Sequence, residues 1–246
     1  MHPTKLRLAC LTALLCAAPA SAQIGSWSTP GGSGPPVNGR DFTLSAGLSM
    51  PVGNFGSQTG LESGFAKPGV SLGLDLTNRY DNNIEAGIAL WLDANPTDSD
   101  ALTEVLNGRV RSVFTGTDPY NVRAANWYSG WAMAKVGFSK PTARMHRPYV
   151  DLLGVLLVLR SPSIALSTFG AAGSAAFPSP GRTYVGPAWG AGVGVRVRNR
   201  IAVGLQYRAA YIEQLNPAQE SAPRGTVDTF QLSLGHISQL SDRSER

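Results

Sequence analysis

The chain has 246 residues, 28 of them glycine and 17 proline, and a formal charge of +5 from 21 Lys and Arg against 16 Asp and Glu. At 15% charged residues it does not have the composition of a disordered chain, and past the N-terminus no run approaches the ~20 apolar residues of a membrane-spanning helix. The Lys and Arg residues are scattered, which excludes the one-sided basic face of a nucleic-acid binder.

Met1 to Ala22 reads as an export signal. Lys5 and Arg7 supply the positive start, Leu8 to Ala18 the short apolar core, and Ala20-Ser21-Ala22 the small-residue cleavage site before Gln23. Cleavage after Ala22 removes both cysteines, Cys10 and Cys16, so the exported chain has no disulfide and no thiolate metal site. Residues 23–40, rich in Gly, Pro and Ser, read as a flexible lead-in.

From Asp41 the dominant period is two. Phe42, Leu44, Ala46 and Leu48 alternate with Thr43, Ser45, Gly47 and Ser49. The same alternation runs through 69–77, 83–93, 127–138, 149–160, 183–197, 201–212 and 226–237, and strict alternation marks half-buried strands. Leu152 to Leu159 is apolar on both parities, so its register is not fixed by pattern. The seven connections run to about 18, 5, 33, 10, 22, 3 and 13 residues, a long-short alternation expected of a membrane barrel with short periplasmic turns and long extracellular loops. Aromatic residues agree: Phe42, Tyr80 and Phe138 fall at the short-turn end, and Trp127, Tyr128, Tyr184, Trp189 and Tyr211 toward the other rim, as two interfacial belts.

GLSMPVGNFG, SLGLDLTNRYDNNIEAGIALWLD and GAGVGVRVRNRIAVGLQYRAAYI resemble the small eight-stranded outer-membrane barrels, the grouping of outer-membrane-protein A, X and W types and opacity-type porin-family proteins. The resemblance covers about Asp41 to Ile237, with a polar tail at 238–246. It implies an all-β, closed, up-and-down antiparallel transmembrane barrel in the bacterial outer membrane. The partners it implies are outer-membrane lipids and lipopolysaccharide, the barrel-assembly machinery and, through the loops, another envelope protein. The expected role is non-enzymatic, with no cofactor. It is structural or loop-presenting, for envelope integrity, adhesion or docking.

Eight strands make a barrel that its inward side chains roughly fill, so an open pore is not expected. The inward parity carries Asp75, Glu85 and Asp93 with Lys135, Arg196 and Arg208. Counted from a turn at 78–82, Asp75 and Glu85 face each other, and neighbouring carboxylates need a cation between them. The expectation is a structural charge cluster of Asp75, Glu85, Lys135 and Arg196. Inward glycines at 47, 73, 87, 192, 194 and 204 leave room for a cavity, so a narrow conduit or a site for small hydrophobic molecules is one alternative.

A second alternative is a lipid-A-modifying enzyme, because His236-Ile237-Ser238 resembles the His-x-Ser dyad of the lipid A deacylase family. The descending last strand places that pair at the end away from the outer leaflet. No His, Asp and Glu grouping has metal-ligand spacing. In the second long loop, ALTEVLNGRVRSVF reads as a short amphipathic helix. The apolar third loop, SIALSTFGAAGSAAF, reads as a segment lying on the membrane or meeting a partner.

Overall fold

The computed structural model describes residues 39–60, 63–80, 83–113, 120–140, 146–170, 173–212 and 225–240. The export segment, the lead-in up to residue 38 and the tail from 241 lie outside the described residues. Eleven strands and two helices occur among those described. They run β1 (Arg40–Val52), α1 (Gly53–Gly56), β2 (Gly69–Arg79), β3 (Ile84–Asn95), α2 (Ser99–Val113), β4 (Tyr120–Ala124), β5 (Trp127–Ser139), β6 (His146–Arg160), β7 (Ile164–Gly170), β8 (Gly173–Ser179), β9 (Thr183–Val197), β10 (Ile201–Ile212) and β11 (Gly225–Leu240).

Eight of the strands close into an antiparallel barrel in the order β1-β11-β10-β9-β6-β5-β3-β2. The closing pair is continuous from Arg40 opposite Leu240 to Val52 opposite Asp228. A strand of period two inside a closed sheet puts alternate side chains on the two faces of the wall. Leu92 is 67% exposed and its neighbour Asp93 only 3%, so here the hydrocarbon points out and the carboxylate points in. The same inversion holds around the ring, with Leu44, Leu72, Ile88, Val136, Val193 and Leu234 all exposed.

Pairing settles the parity that pattern left open in β6. Asp151, Leu153, Leu157 and Leu159 face inward, while Val150, Leu152 and Val158 face outward. The barrel also extends past its expected limits, since β1 begins at Arg40 and β11 continues through Ser238 and Gln239 to Leu240. Polar side chains on those last positions did not end the strand, because β1 offers its backbone as a ladder as far as Arg40.

Connections sort by end. Tight links join β2 to β3, β5 to β6 and β9 to β10, and the three remaining strands and both helices occupy the opposite end. There β4, β7 and β8 form a separate sheet in the order β4-β7-β8.

Candidate functional site

Inward-facing polar residues at successive depths build a three-tier charged lumen. At the short-turn end the Glu85 carboxylate accepts hydrogen bonds from the Arg196 guanidinium at 2.5 Å and from the Ser139 hydroxyl at 2.7 Å. Arg147 Nε lies 3.6 Å and Arg79 Nε 3.9 Å from the same oxygen. Arg79 is also paired with Asp41 on β1. In the middle tier Lys135 Nζ stands between Asp75, at 3.4 Å, and Asp151, at 3.8 Å.

The upper tier crosses the barrel. Arg208 on β10 donates from Nη2 to both oxygens of Asp93 on β3, at 3.1 and 3.0 Å, and these strands are diametrically opposed in the ring. Trp131 Nε1 at 2.8 Å and the Ser129 hydroxyl at 3.1 Å donate to the same carboxylate, and the Ser71 hydroxyl is also bonded to it. The guanidinium lies over the Trp131 ring at 4.8 Å and the Trp91 ring at 5.6 Å. A planar cation held between two indole faces and a carboxylate has its desolvation offset from several directions at once.

The four expected cluster residues are therefore divided between two tiers. Asp75 does not face Glu85. The register pairs Asp75 with Ala89 and Glu85 with Arg79, because the ladder runs on through Asn78 and Arg79, two residues that the count from sequence placed in the turn. Lys135 serves Asp75 rather than Glu85, and of the two expected cations only Arg196 reaches Glu85. Sequence reasoning missed Asp41, Arg79, Arg147 and Asp151 as partners. The first three sit at strand ends where parity is weakly marked, and Asp151 lies beside a run apolar on both faces.

The glycine gaps are filled by neighbours. A Cβ on Gly73 would come within 2.3 Å of the Trp91 ring, and on Gly194 or Gly204 within 2.5 Å of the Tyr149 hydroxyl. These glycines are lodging for large inward aromatic rings, which corrects the expected cavity at those positions. Two rim aromatics are corrected as well. Trp127 is 1% exposed and Tyr184 packs against the inner apolar cluster, whereas Tyr128, Trp189 and Tyr211 face out.

Above the lumen the long connections form a cap. Phe55 meets Trp127 edge-on with ring centroids 5.3 Å apart, and Trp127 Nε1 donates to the Gly64 carbonyl at 2.9 Å. Phe65, Leu102, Val122 and Ile164 make a second small core, with Val105, Leu106 and Leu166 packed on it. Ile164 and Leu166, at the start of the third loop, thus pack on the core that α2 shares, and the side chains of 168–177 lie outside the described residues.

Helix α2 also closes the edge of β4. The Ser99 and Thr103 hydroxyls accept from the backbone N–H groups of Ala124 and Val122, both at 3.1 Å. Asn107 accepts from the Tyr120 N–H at 2.8 Å and donates to its carbonyl at 2.9 Å. Four helical residues rise ~6 Å and two strand residues ~6.6 Å, so side chains spaced by four match every second N–H of an edge strand. This relieves the unpaired edge that would otherwise be open. Asp98 ties the helix to the first loop, accepting from the Ala101 N–H at 3.1 Å and Gln58 Nε2 at 2.9 Å and pairing with Lys67 at 3.1 Å. Burial pushes its carboxyl up, but the Ala101 N–H and Lys67 outweigh that and hold it below the ordinary aspartate range. An open cleft of about 550 Å³ runs along the base of the small sheet, lined among others by Arg123, Ser163, Ala165 and Pro178.

His236 and Ser238 both stand on the outer wall at the short-turn end, opposite Leu44 and Phe42 of β1. Among the described residues no group of three or more His, Cys, Asp or Glu is placed to hold a metal ion.

No family model matches the chain, and no curated protein matches it. Solved structures similar to it include Neisserial surface protein A, at 15% identity and a TM-score of 0.41, covering 82% of this chain and 97% of that one. The attachment invasion locus protein Ail of Yersinia pestis shows 13% identity and a TM-score of 0.42, over 80% of this chain and 98% of its own. The outer membrane protein OprG of Pseudomonas aeruginosa shows 12% identity and a TM-score of 0.35, over 82% and 97%.

Proposed function

We propose that the chain is a non-enzymatic integral protein of the bacterial outer membrane that holds a folded loop cap at the cell surface, for docking, adhesion or envelope integrity. One observation carries this reading. Between the two rims, no outward-facing described position on any of the eight barrel strands bears a charge, while Asp, Glu, Lys and Arg side chains are turned inward. A wall that is apolar outside and ionic inside is stable in hydrocarbon and costly in water. The cap, with its own small core and its cleft at Arg123, supports a presenting role, because recognition concentrates on loops held by a rigid scaffold. A conduit is less well supported, since Arg208 and Asp93 join across the upper lumen.

Heat-modifiable gel migration of the isolated outer-membrane fraction tests the reading. The native chain should run faster before boiling than after, and proteolysis of intact cells should cut within the cap but spare the wall. Recovery of the folded protein in the soluble periplasmic fraction would refute it.

A further inference from the structure

The two rims of the wall differ in charge. At the short-turn end Arg40 precedes Phe42 by two positions on the outward parity of β1, and Lys140 follows Phe138 by two positions beyond β5. Arg198 and Arg200 flank Asn199 in the link between β9 and β10, where Arg198 and Asn199 have φ of 51° and 52°, as a tight twisted hairpin requires. All four cations are exposed. Among the described residues the carboxylates of this end, Asp41 and Glu85, are turned into the lumen and held there by Arg79, Arg147 and Arg196. Among the described residues no carboxylate pairs with Arg40, Lys140, Arg198 or Arg200. At the opposite rim the signs are mixed, with exposed Arg160 on β6 and Asp228 on β11, the latter bonded to the Tyr207 and Thr226 hydroxyls.

We propose that Arg40, Lys140, Arg198 and Arg200 form a cationic collar that binds the phosphate headgroups of anionic phospholipid in the leaflet at the short-turn end. The inference rests on the membrane-spanning reading above. Exposed Phe42, Tyr80 and Phe138 mark the interfacial depth at this end. Two residues along a tilted strand carry the chain about 5 Å further along the membrane normal, from the aromatic level to the phosphate level. There a long cationic side chain lays its stem on the apolar wall and extends its charge to the headgroup. A zwitterionic lipid carries its own cation beside the phosphate, whereas an anionic one leaves a net negative charge to compensate these four cations.

The test uses the chain without residues 1–22, refolded into nanodiscs of phosphatidylcholine and phosphatidylglycerol at roughly 4:1, with spin-labelled versions of each lipid. The motionally restricted fraction reports which lipid lines the wall. Labelled phosphatidylglycerol should be preferred about threefold or more at low ionic strength, with the preference falling toward parity at about 0.5 M salt. The variant carrying Arg40→Gln, Lys140→Gln, Arg198→Gln and Arg200→Gln should lose it, and Arg160→Gln at the other rim should keep it. If the fourfold variant does not fold, the pair Arg198→Gln and Arg200→Gln, confined to one turn, should still halve the preference.

Heat-modifiable migration of each sample separates the two ideas. A chain that never enters the bilayer defeats the membrane reading. An inserted wild-type barrel with no lipid preference, or one whose preference survives loss of the collar, overturns the collar alone. Absence of preference combined with collar-dependent capture by a soluble acidic polymer overturns it in favour of a periplasmic partner.

Discussion

The lumen and the cap bury polar groups by opposite means. The lumen has strands of fixed spacing and no backbone to spare, so it satisfies charge with charge, from Glu85 and Arg196 through Lys135 to Asp93 and Arg208. The cap has free strand edges, and it satisfies backbone with short neutral side chains, Ser99, Thr103 and Asn107, over a small apolar core. Cutting one ion pair in the lumen strands a charge. Cutting one bond in the cap exposes a backbone group that water can reach. The two regions should therefore fail on different scales.

The largest difference is expected at Arg208. Arg208→Met leaves the buried Asp93 carboxylate without its cation and should cost about 3–5 kcal/mol in urea unfolding of the folded barrel. Replacing both partners, Arg208→Met with Asp93→Leu, should restore much of that loss. A single variant as stable as the wild type would mean that the crossing pair is not what holds the upper tier. Gly73→Val comes next. Its added atoms run into the Trp91 ring, and overpacking of this kind costs about 1–3 kcal/mol. Loss of the near-ultraviolet circular dichroism of the tryptophans should accompany it.

In the cap, Asn107→Ala removes both bonds to Tyr120 and should weaken α2 against β4 by about 1–2 kcal/mol. Hydrogen exchange should quicken in those two elements while the unfolding midpoint of the barrel stays in place. A lowered barrel midpoint would show that cap and wall unfold as one unit.

The smallest effect concerns pH. Asp98 is held below its ordinary range in the fold, so its contribution is complete above the unfolded aspartate value of about 4 and is lost as pH falls through the lower folded value. Protease cleavage in the cap should rise across that acid window and not above it. Asp98→Asn should flatten the profile.

Alternation of apolar and small or polar residues, and of long and short connections, was enough to determine eight strands, their closure into a barrel and, outside the doubly apolar run of β6, most of the residues that turn inward. Both signals are local, since period two is a property of each strand and loop length a property of each connection. Partner choice was not local. Glu85 meets Arg196 across 111 positions of chain and Asp93 meets Arg208 across 115, and only the register of strands far apart in sequence brings them together. The same holds for the inward turn of Trp127, the filling of the glycine gaps by Trp91 and Tyr149, and the stripe of Ser99, Thr103 and Asn107 along β4. A one-position change of register exchanges the faces of a strand, and a two-position change moves a charge from one tier to the next. The tertiary structure therefore decided the chemistry of the interior and added Asp41, Arg79, Arg147 and Asp151 to it, while the sequence by itself determined that there would be an interior and that Asp75, Glu85, Asp93, Lys135, Arg196 and Arg208 would turn into it.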